Sequence, residues 1–318
     1  MILALLLLAS DYTGARACAE CHAKQYATQH DSHHAKALNR ATLENTRLRT
    51  MNERNGASLR HERSESGIRL ITQRGSVIYE SLLEWTFGAG SQATTAVGRI
   101  ADGRYFEHRL SFYSKPQRLA LTPGHSISPS LDAESAIGIV QSPENIYRCF
   151  NCHAANVQPG PDLTAMIPGV TCERCHGAGA KHIEAVKTKQ PKLEIFSGKL
   201  VSGKAMVAVC GECHRSPNAE YRSDIPEVED PLSVRFAPVG FQASRCFQRS
   251  PKFSCVTCHN PHENPRPASD VSYTQICKSC HSVPKHKQTA NTNCISCHMQ
   301  KSSPVANLTF TDHRIRVY

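Results

Sequence analysis

Hydrophobic positions along this chain change their pattern three times. Ile2 to Ala9 is a short apolar run, far too short to span a bilayer, and a small, polar stretch from Ser10 to Ala17 follows it. The pair resembles the hydrophobic and cleavage regions of a secretory signal, without the basic residues that usually come first. From Cys18 to about Asn55, alanines and interspersed charges with no proline predict helix. Gly56 to Pro129 predicts strands instead. Ile68-Arg69-Leu70-Ile71 and Val77-Ile78-Tyr79 flank Arg74-Gly75-Ser76, and Val97 to Ile100 with Tyr105 to Tyr113 reads as a hairpin turning at Asp102-Gly103. From Leu131 on, short helical pieces alternate with breaks such as Pro159-Gly160-Pro161 and Ile225-Pro226.

These patterns divide the chain into a signal segment (1–17), a first helical module (18–55), a β-rich insert (56–130) and a longer domain (131–318). The fold class expected is mainly α with little regular structure, plus a small β-rich insert. With 1 Trp in 318 residues and an aromatic content of 6%, side chains alone make a thin core. Another apolar filler is needed.

The cysteines identify it. Of 15 cysteines, 14 fall into seven copies of one unit, two cysteines bracketing two residues and then a histidine. The copies are Cys18/Cys21/His22, Cys149/Cys152/His153, Cys172/Cys175/His176, Cys210/Cys213/His214, Cys255/Cys258/His259, Cys277/Cys280/His281 and Cys294/Cys297/His298. Two thiols at this spacing can bond to the two vinyl groups on one porphyrin edge, and the next imidazole then turns onto the iron. Structural zinc and thioredoxin-like pairs also use CxxC, but neither needs a histidine directly after every second cysteine. Seven such coincidences would arise by chance on the order of once in a billion. The expectation is seven covalently attached c-type haems. The bracketed pairs AE, FN, ER, GE, VT, KS and IS share nothing, as residues that only span would. Cys246 is left over, read as a small buried residue.

Ten histidines remain, enough to give each iron a second axial ligand. His34, His182, His262, His286 and His313 are the leading candidates, followed by His125 and His61, while His108 alternates with Phe106 and Leu110 as a strand residue. His262 and His182 stand too close in sequence to their preceding motifs to wrap around to the same iron. Each should therefore serve a neighbouring haem. The net charge of +10 changes meaning once haem is counted, because seven haems add about −7 oxidised or about −14 reduced through their propionates. The basic residues are then propionate partners, and nucleic-acid binding is not implied.

Ser32-His33-His34-Ala35, the run from Cys172 to His182, Cys255 to His262, and Cys294 to Met299 followed by Thr311 to Ile315 resemble the cytochrome c554 and doubled-CxxCH group of multihaem cytochromes c. Trp85 to Tyr113 and Ser244-Arg245-Cys246 resemble segments of that group too. The resemblance covers most of the chain, although cytochrome c554 itself carries four haems. It implies periplasmic or extracellular electron transfer by closely stacked haems. Export also follows from the motifs, since bacterial c-type haem attachment happens outside the cytoplasm. The first functional expectation is an electron carrier between redox partner proteins, with no membrane span in the mature chain and with an oligomer or filament compatible. The alternative is a multihaem oxidoreductase with one open iron, acting on a nitrogen or sulfur oxyanion.

Overall fold

The computed structural model describes residues 11–53, 56–160, 162–199, 202–216, 225–281 and 293–318. Its largest element is one antiparallel sheet of nine strands: β1 (Leu38–Arg40), β2 (Met51–Asn52), β3 (Ser58–Ser64), β4 (Gly67–Arg74), β5 (Val77–Phe87), β6 (Ala93–Arg99), β7 (Tyr105–Tyr113), β8 (Arg118–Leu121) and β9 (Gly138–Val140). The spatial order is β2-β3-β4-β5-β6-β7-β8, with β1 added to the far end of β5 and β9 to the near end of β7. Gly75, at φ 60, turns the tight β4–β5 hairpin, where Arg74 faces Val77. The β6–β7 hairpin pairs Arg99 with Tyr105, and Ile100 bonds to Arg104 to close a loop longer than the two-residue turn expected.

This sheet overturns the mainly α expectation. Of the described residues 31% are helical and 22% are in strands, and the curled sheet reaches from Leu38 to Val140. The physical reason is burial on the two sides of the sheet. One face closes over Leu59, Ile68, Leu70, Leu83, Ala96, Ile100, Phe106 and Ile137. Alternate positions such as Arg60, Glu62 and Arg69 face water and pair across strands, so β3, whose sequence is SLRHERS, reads as polar although Leu59 is buried. Register shifts put extra residues into β5 at Glu84 and into β7 at His108–Leu110, where the ladder is bulged. The predicted helix over 18–55 shrinks for the same reason. Only Ala23–His30 and Leu43–Thr46 are helical after Cys18, while Leu38 and Met51 join the sheet.

Among the described residues, twelve short helices carry or support the motifs: α1 (Ala15–Cys18), α2 (Ala23–His30), α3 (Leu43–Thr46), α4 (Pro143–His153), α5 (Cys172–His176), α6 (Ala180–Lys187), α7 (Gly203–His214), α8 (Ala237–Ala243), α9 (Arg245–Arg249), α10 (Cys255–Cys258), α11 (Val271–Lys278) and α12 (Cys294–His298). Helix α4 starts cleanly because Ser142 accepts from the Asn145 amide and Pro143 occupies the first turn. It joins the two parts of the molecule. Ile146 and Phe150 pack on Leu38, Trp85, Val97 and Tyr105, forming a second core between sheet and motifs. Among the described residues no helix is long and apolar enough to cross a membrane.

Candidate haem-binding sites

The motif histidines do not stand alone. His22 faces His182 at 6.4 Å between ring centres, His176 faces His262 at 6.1 Å, His214 faces His34 at 6.0 Å and His259 faces His313 at 6.3 Å. Two imidazoles bonded to one iron, at about 2 Å per bond and about 1.2 Å from Nε2 to each ring centre, sit about 6.4 Å apart. Each pair joins a motif histidine to one outside the motifs. The residues therefore fit a haem iron.

The nitrogens agree with the spacing. Nδ1 donates to a backbone carbonyl in His34 (Pro261, 3.3 Å), His153 (Ala37, 3.0 Å), His176 (Phe196, 2.7 Å), His182 (Leu193, 2.7 Å), His298 (Arg316, 2.8 Å) and His313 (Thr311, 2.9 Å). That bond fixes the tautomer with the lone pair on Nε2, the arrangement metal-bound histidines use. At five of the paired or motif histidines burial also favours the neutral ring, the form that ligates. His214 is pushed down to about 4 by burial and by its neighbours His34, His313, His259 and His153. Burial lowers His153, His259, His262 and His313 too.

Local chemistry holds each partner in place. His34 lies in the turn after α2, where its carbonyl accepts the Val170 amide. Gly169 makes that approach possible: it sits at φ 84, and a Cβ there would fall 2.1 Å from the Ala35 carbonyl oxygen. His262 follows Asn260, whose side-chain oxygen accepts from the His262 amide at 3.1 Å and lies 3.2 Å from its Nδ1. Beside His313, Asp312 accepts from the Arg314 amide and the Tyr318 hydroxyl.

The structure thus brings His34, His182, His262 and His313 opposite motif histidines, each from a different motif's stretch of chain. His286 lies outside the described residues. The other two candidates are not brought to a motif. His61 Nδ1 donates to Arg49 and its Nε2 meets Nε2 of His108 at 3.2 Å, so both nitrogens are used inside the sheet. His125 is buried with Nε2 3.3 Å from Glu107.

The sixth motif differs from these paired sites. Cys280 and His281 of the sixth motif and Cys297 of the seventh are exposed, as are Cys21 and His22 of the first, Cys149 of the second and Cys175 of the third, but among the described residues no second imidazole faces His281. Cys280 Sγ has the neighbouring Ser279 hydroxyl at 4.0 Å, and Cys297 Sγ has the Ser296 hydroxyl at 3.8 Å, contacts that a local turn supplies and that enclose nothing. Cys294–His298 is a short helix whose His298 Nδ1 is held by the Arg316 carbonyl, whereas Cys280 and His281 follow the end of α11 at Lys278, and the stretch after His281 lies outside the described residues. Assignment of Cys280, His281 and Cys297 to haem therefore rests on motif spacing, without the imidazole geometry that supports four of the other sites. At the second motif, His153 packs edge-on against Phe87 at 5.0 Å. Cys246, expected to be buried, is only partly so.

The motif helices pack on one another in an order the chain does not follow. α1 packs against α5, α4 against α7, α7 against α10, α10 against α11, and α11 against α12. Arg174 of α5 links the remaining pieces: its guanidinium donates to the Asn151 carbonyl in the second motif at 3.0 Å, and reaches Glu212 (3.4 Å) and Cys213 Sγ (3.7 Å) in the fourth. The bracketed residues of the third motif therefore do more than span. Nothing in the sequence distinguished Glu173 and Arg174 from the other pairs.

Four iron-spaced imidazole pairs built on CxxCH units, within a chain carrying seven such units, define a multihaem cytochrome c, and the chain belongs to that class. A sequence profile for cytochrome c554 and c-prime matches residues 17–67 and 124–177. The multiheme cytochrome MtrA of Shewanella baltica (strain OS185) is 24% identical over 215 residues, covering 60% of this chain and 63% of that relative's length. The crystal structure of the outer cell wall cytochrome OcwA superposes with a TM-score of 0.56 at 14% identity, over 96% of this chain and 80% of that one. The latter likeness is one of fold.

Proposed function

We propose that this chain is a seven-haem c-type cytochrome that passes electrons between redox partner proteins outside the cytoplasm. The observation that carries the reading is the set of four histidine pairs at 6.0–6.4 Å. Cys18 and Cys21, and the corresponding cysteines of the other six motifs, would hold the porphyrin edges. When bound, the haems supply one-electron chemistry at iron. A histidine on each side saturates the metal, which suits a carrier better than a substrate site.

Cross-pairing also favours a wire. Each of the four paired non-motif histidines reaches from one motif's stretch of chain to another motif, which keeps the sites adjacent. The helix contacts support an order of first, third, fourth, fifth, sixth and seventh motif, with the second beside the fourth. In that order the first and the seventh motifs form the two ends, and the exposure of Cys21 and His22 at one and Cys297 at the other would let haems there meet docking partners. The names of MtrA and OcwA, a multiheme cytochrome and an outer cell wall cytochrome, agree with an exported electron carrier. Asp11, Thr13 and Gly14 bond to Ala180 and Glu173, tying the stretch before the first motif to the third.

The test combines mass with spin state. The mature polypeptide should weigh seven haems more than its sequence, and the oxidised protein should be predominantly low-spin. A mass without haem increments, or a predominantly high-spin spectrum, would end the reading. One high-spin haem in seven, with matching carbon monoxide uptake after reduction, would move it to the oxidoreductase alternative.

A further inference from the structure

Glu173 is the second residue of the third motif and is only 2% exposed. A buried carboxylate normally finds a cation, yet this one is held by backbone amides and a hydroxyl. Oε1 accepts from the Thr13 amide (2.8 Å), the Gly179 amide (2.8 Å) and the Thr13 hydroxyl (3.3 Å), and Oε2 accepts from the Gly14 amide (2.8 Å). Hydrogen bonds to a carboxylate are among the stronger ones, and four together hold their donors firmly.

The donors belong to two separate segments. Gly14 is the residue before α1, which leads through Cys18 to His22, whose amide bonds back to the Cys18 carbonyl at 2.8 Å. Gly179 is the residue before α6, which carries His182. These two segments bear the two imidazoles that face each other at 6.4 Å. The histidines are 160 residues apart in sequence, and the Glu173 carboxylate holds the start of both segments. A second tie runs alongside, from the Ala180 amide to the Asp11 carbonyl at 3.0 Å. The space around the carboxylate is closed: a Cβ on Gly179 would meet the Thr13 hydroxyl at 3.0 Å and Glu173 Oε1 at 3.2 Å.

We infer that Glu173 is a positioning residue for the first haem, clamping from within the third motif the two chain segments that supply the first haem's axial histidines. The inference rests on the proposed ligation of that iron by His22 and His182. It assigns the bracketed position of one attachment motif a role at a different haem.

Glu173→Gln tests it. The amide keeps the shape but presents an N–H donor where a carboxylate oxygen faced backbone N–H groups. With seven haems still attached, the oxidised variant should lose or shift the low-spin resonance of one haem in seven and leave the other six unchanged. His182→Ala should alter that same resonance. If Glu173→Gln does not assemble, Gly179→Ala decides instead, with the same one-haem change expected. Assembled variants with all seven resonances at their wild-type positions would overturn the inference, while a change produced by His182→Ala would leave the ligand assignment standing. Were His182→Ala to change nothing, the ligand assignment itself would fall. A mature N-terminus beginning after Gly14 would also overturn the clamp, since its donors would be gone, without touching the haem count.

Discussion

Replacing His262 by alanine should open one iron and no other. His262 faces His176 at 6.1 Å with the rings 6° from parallel, whereas the pairs at His22, His259 and His214 are inclined at 25°, 44° and 68°. Near-parallel axial imidazoles give ferric haem a rhombic low-spin resonance, and near-perpendicular ones a strongly anisotropic signal, so the pair at His176 should be the most rhombic of the four. Its loss should remove about one-seventh of the low-spin intensity, replace it with high-spin signal, and add about one carbon monoxide site per molecule on reduction. His262 is partly exposed, near the surface turn Asn260-Pro261-His262, so the fold should survive. Because the third motif lies between the first and the fourth, electron exchange with the first site should slow as well. Electron paramagnetic resonance with a carbon monoxide titration makes the measurement. An unchanged rhombic signal with no new carbon monoxide site would refute the pairing.

His34→Ala should instead remove the most anisotropic signal, since His34 and His214 are inclined at 68°, and power-dependent paramagnetic resonance would show whether it does. The sheet should be labile to acid. Burial pushes His61 down to about 4 and His108 to about 3, so the folded protein leaves both neutral where the unfolded chain takes up protons below about 6.5. Their contribution is full above pH 6.5 and falls by up to about 1.4 kcal/mol per pH unit for each histidine as the pH drops towards 4. Urea midpoints followed by circular dichroism from pH 7 to 4.5 would measure this, and a flat profile would count against it. Arg109→Ala should cost about 3–5 kcal/mol in the same assay. It strands Glu53, which Arg109 meets at 2.5 Å with both side chains largely buried, and removes a bond to the Ser128 carbonyl.

The sheet and the motifs were legible to different degrees. CxxCH is a covalent requirement confined to five residues, so its seven copies stand out against any background. Even Cys280, His281 and Cys297, which the polypeptide leaves at the surface, are marked by spacing alone. The hairpins at Gly75 and Gly103 were visible because turn glycines punctuate apolar runs. The size of the sheet was not, because strands with one wet face carry as many charges as a surface helix, as Arg60, Glu62 and Arg69 illustrate.

For the histidines the limit is different. Composition shows that ten imidazoles are spare, and closeness in sequence excludes some pairings, but it cannot distinguish His61 from His34. His61 is retired by a hydrogen bond to His108, and His34 is recruited by a turn that Val170 and Gly169 hold against His214. Likewise Glu173 and Ala19-Glu20 look equivalent as filler between cysteines until Thr13, Gly14 and Gly179 are seen around one carboxylate. The chain by itself determined that there are seven CxxCH units and where each stands. Which imidazole faces which motif histidine, and which motif touches which, was decided only by tertiary packing, because such a pair is a contact between segments up to 180 residues apart and distance along the chain carries no record of it.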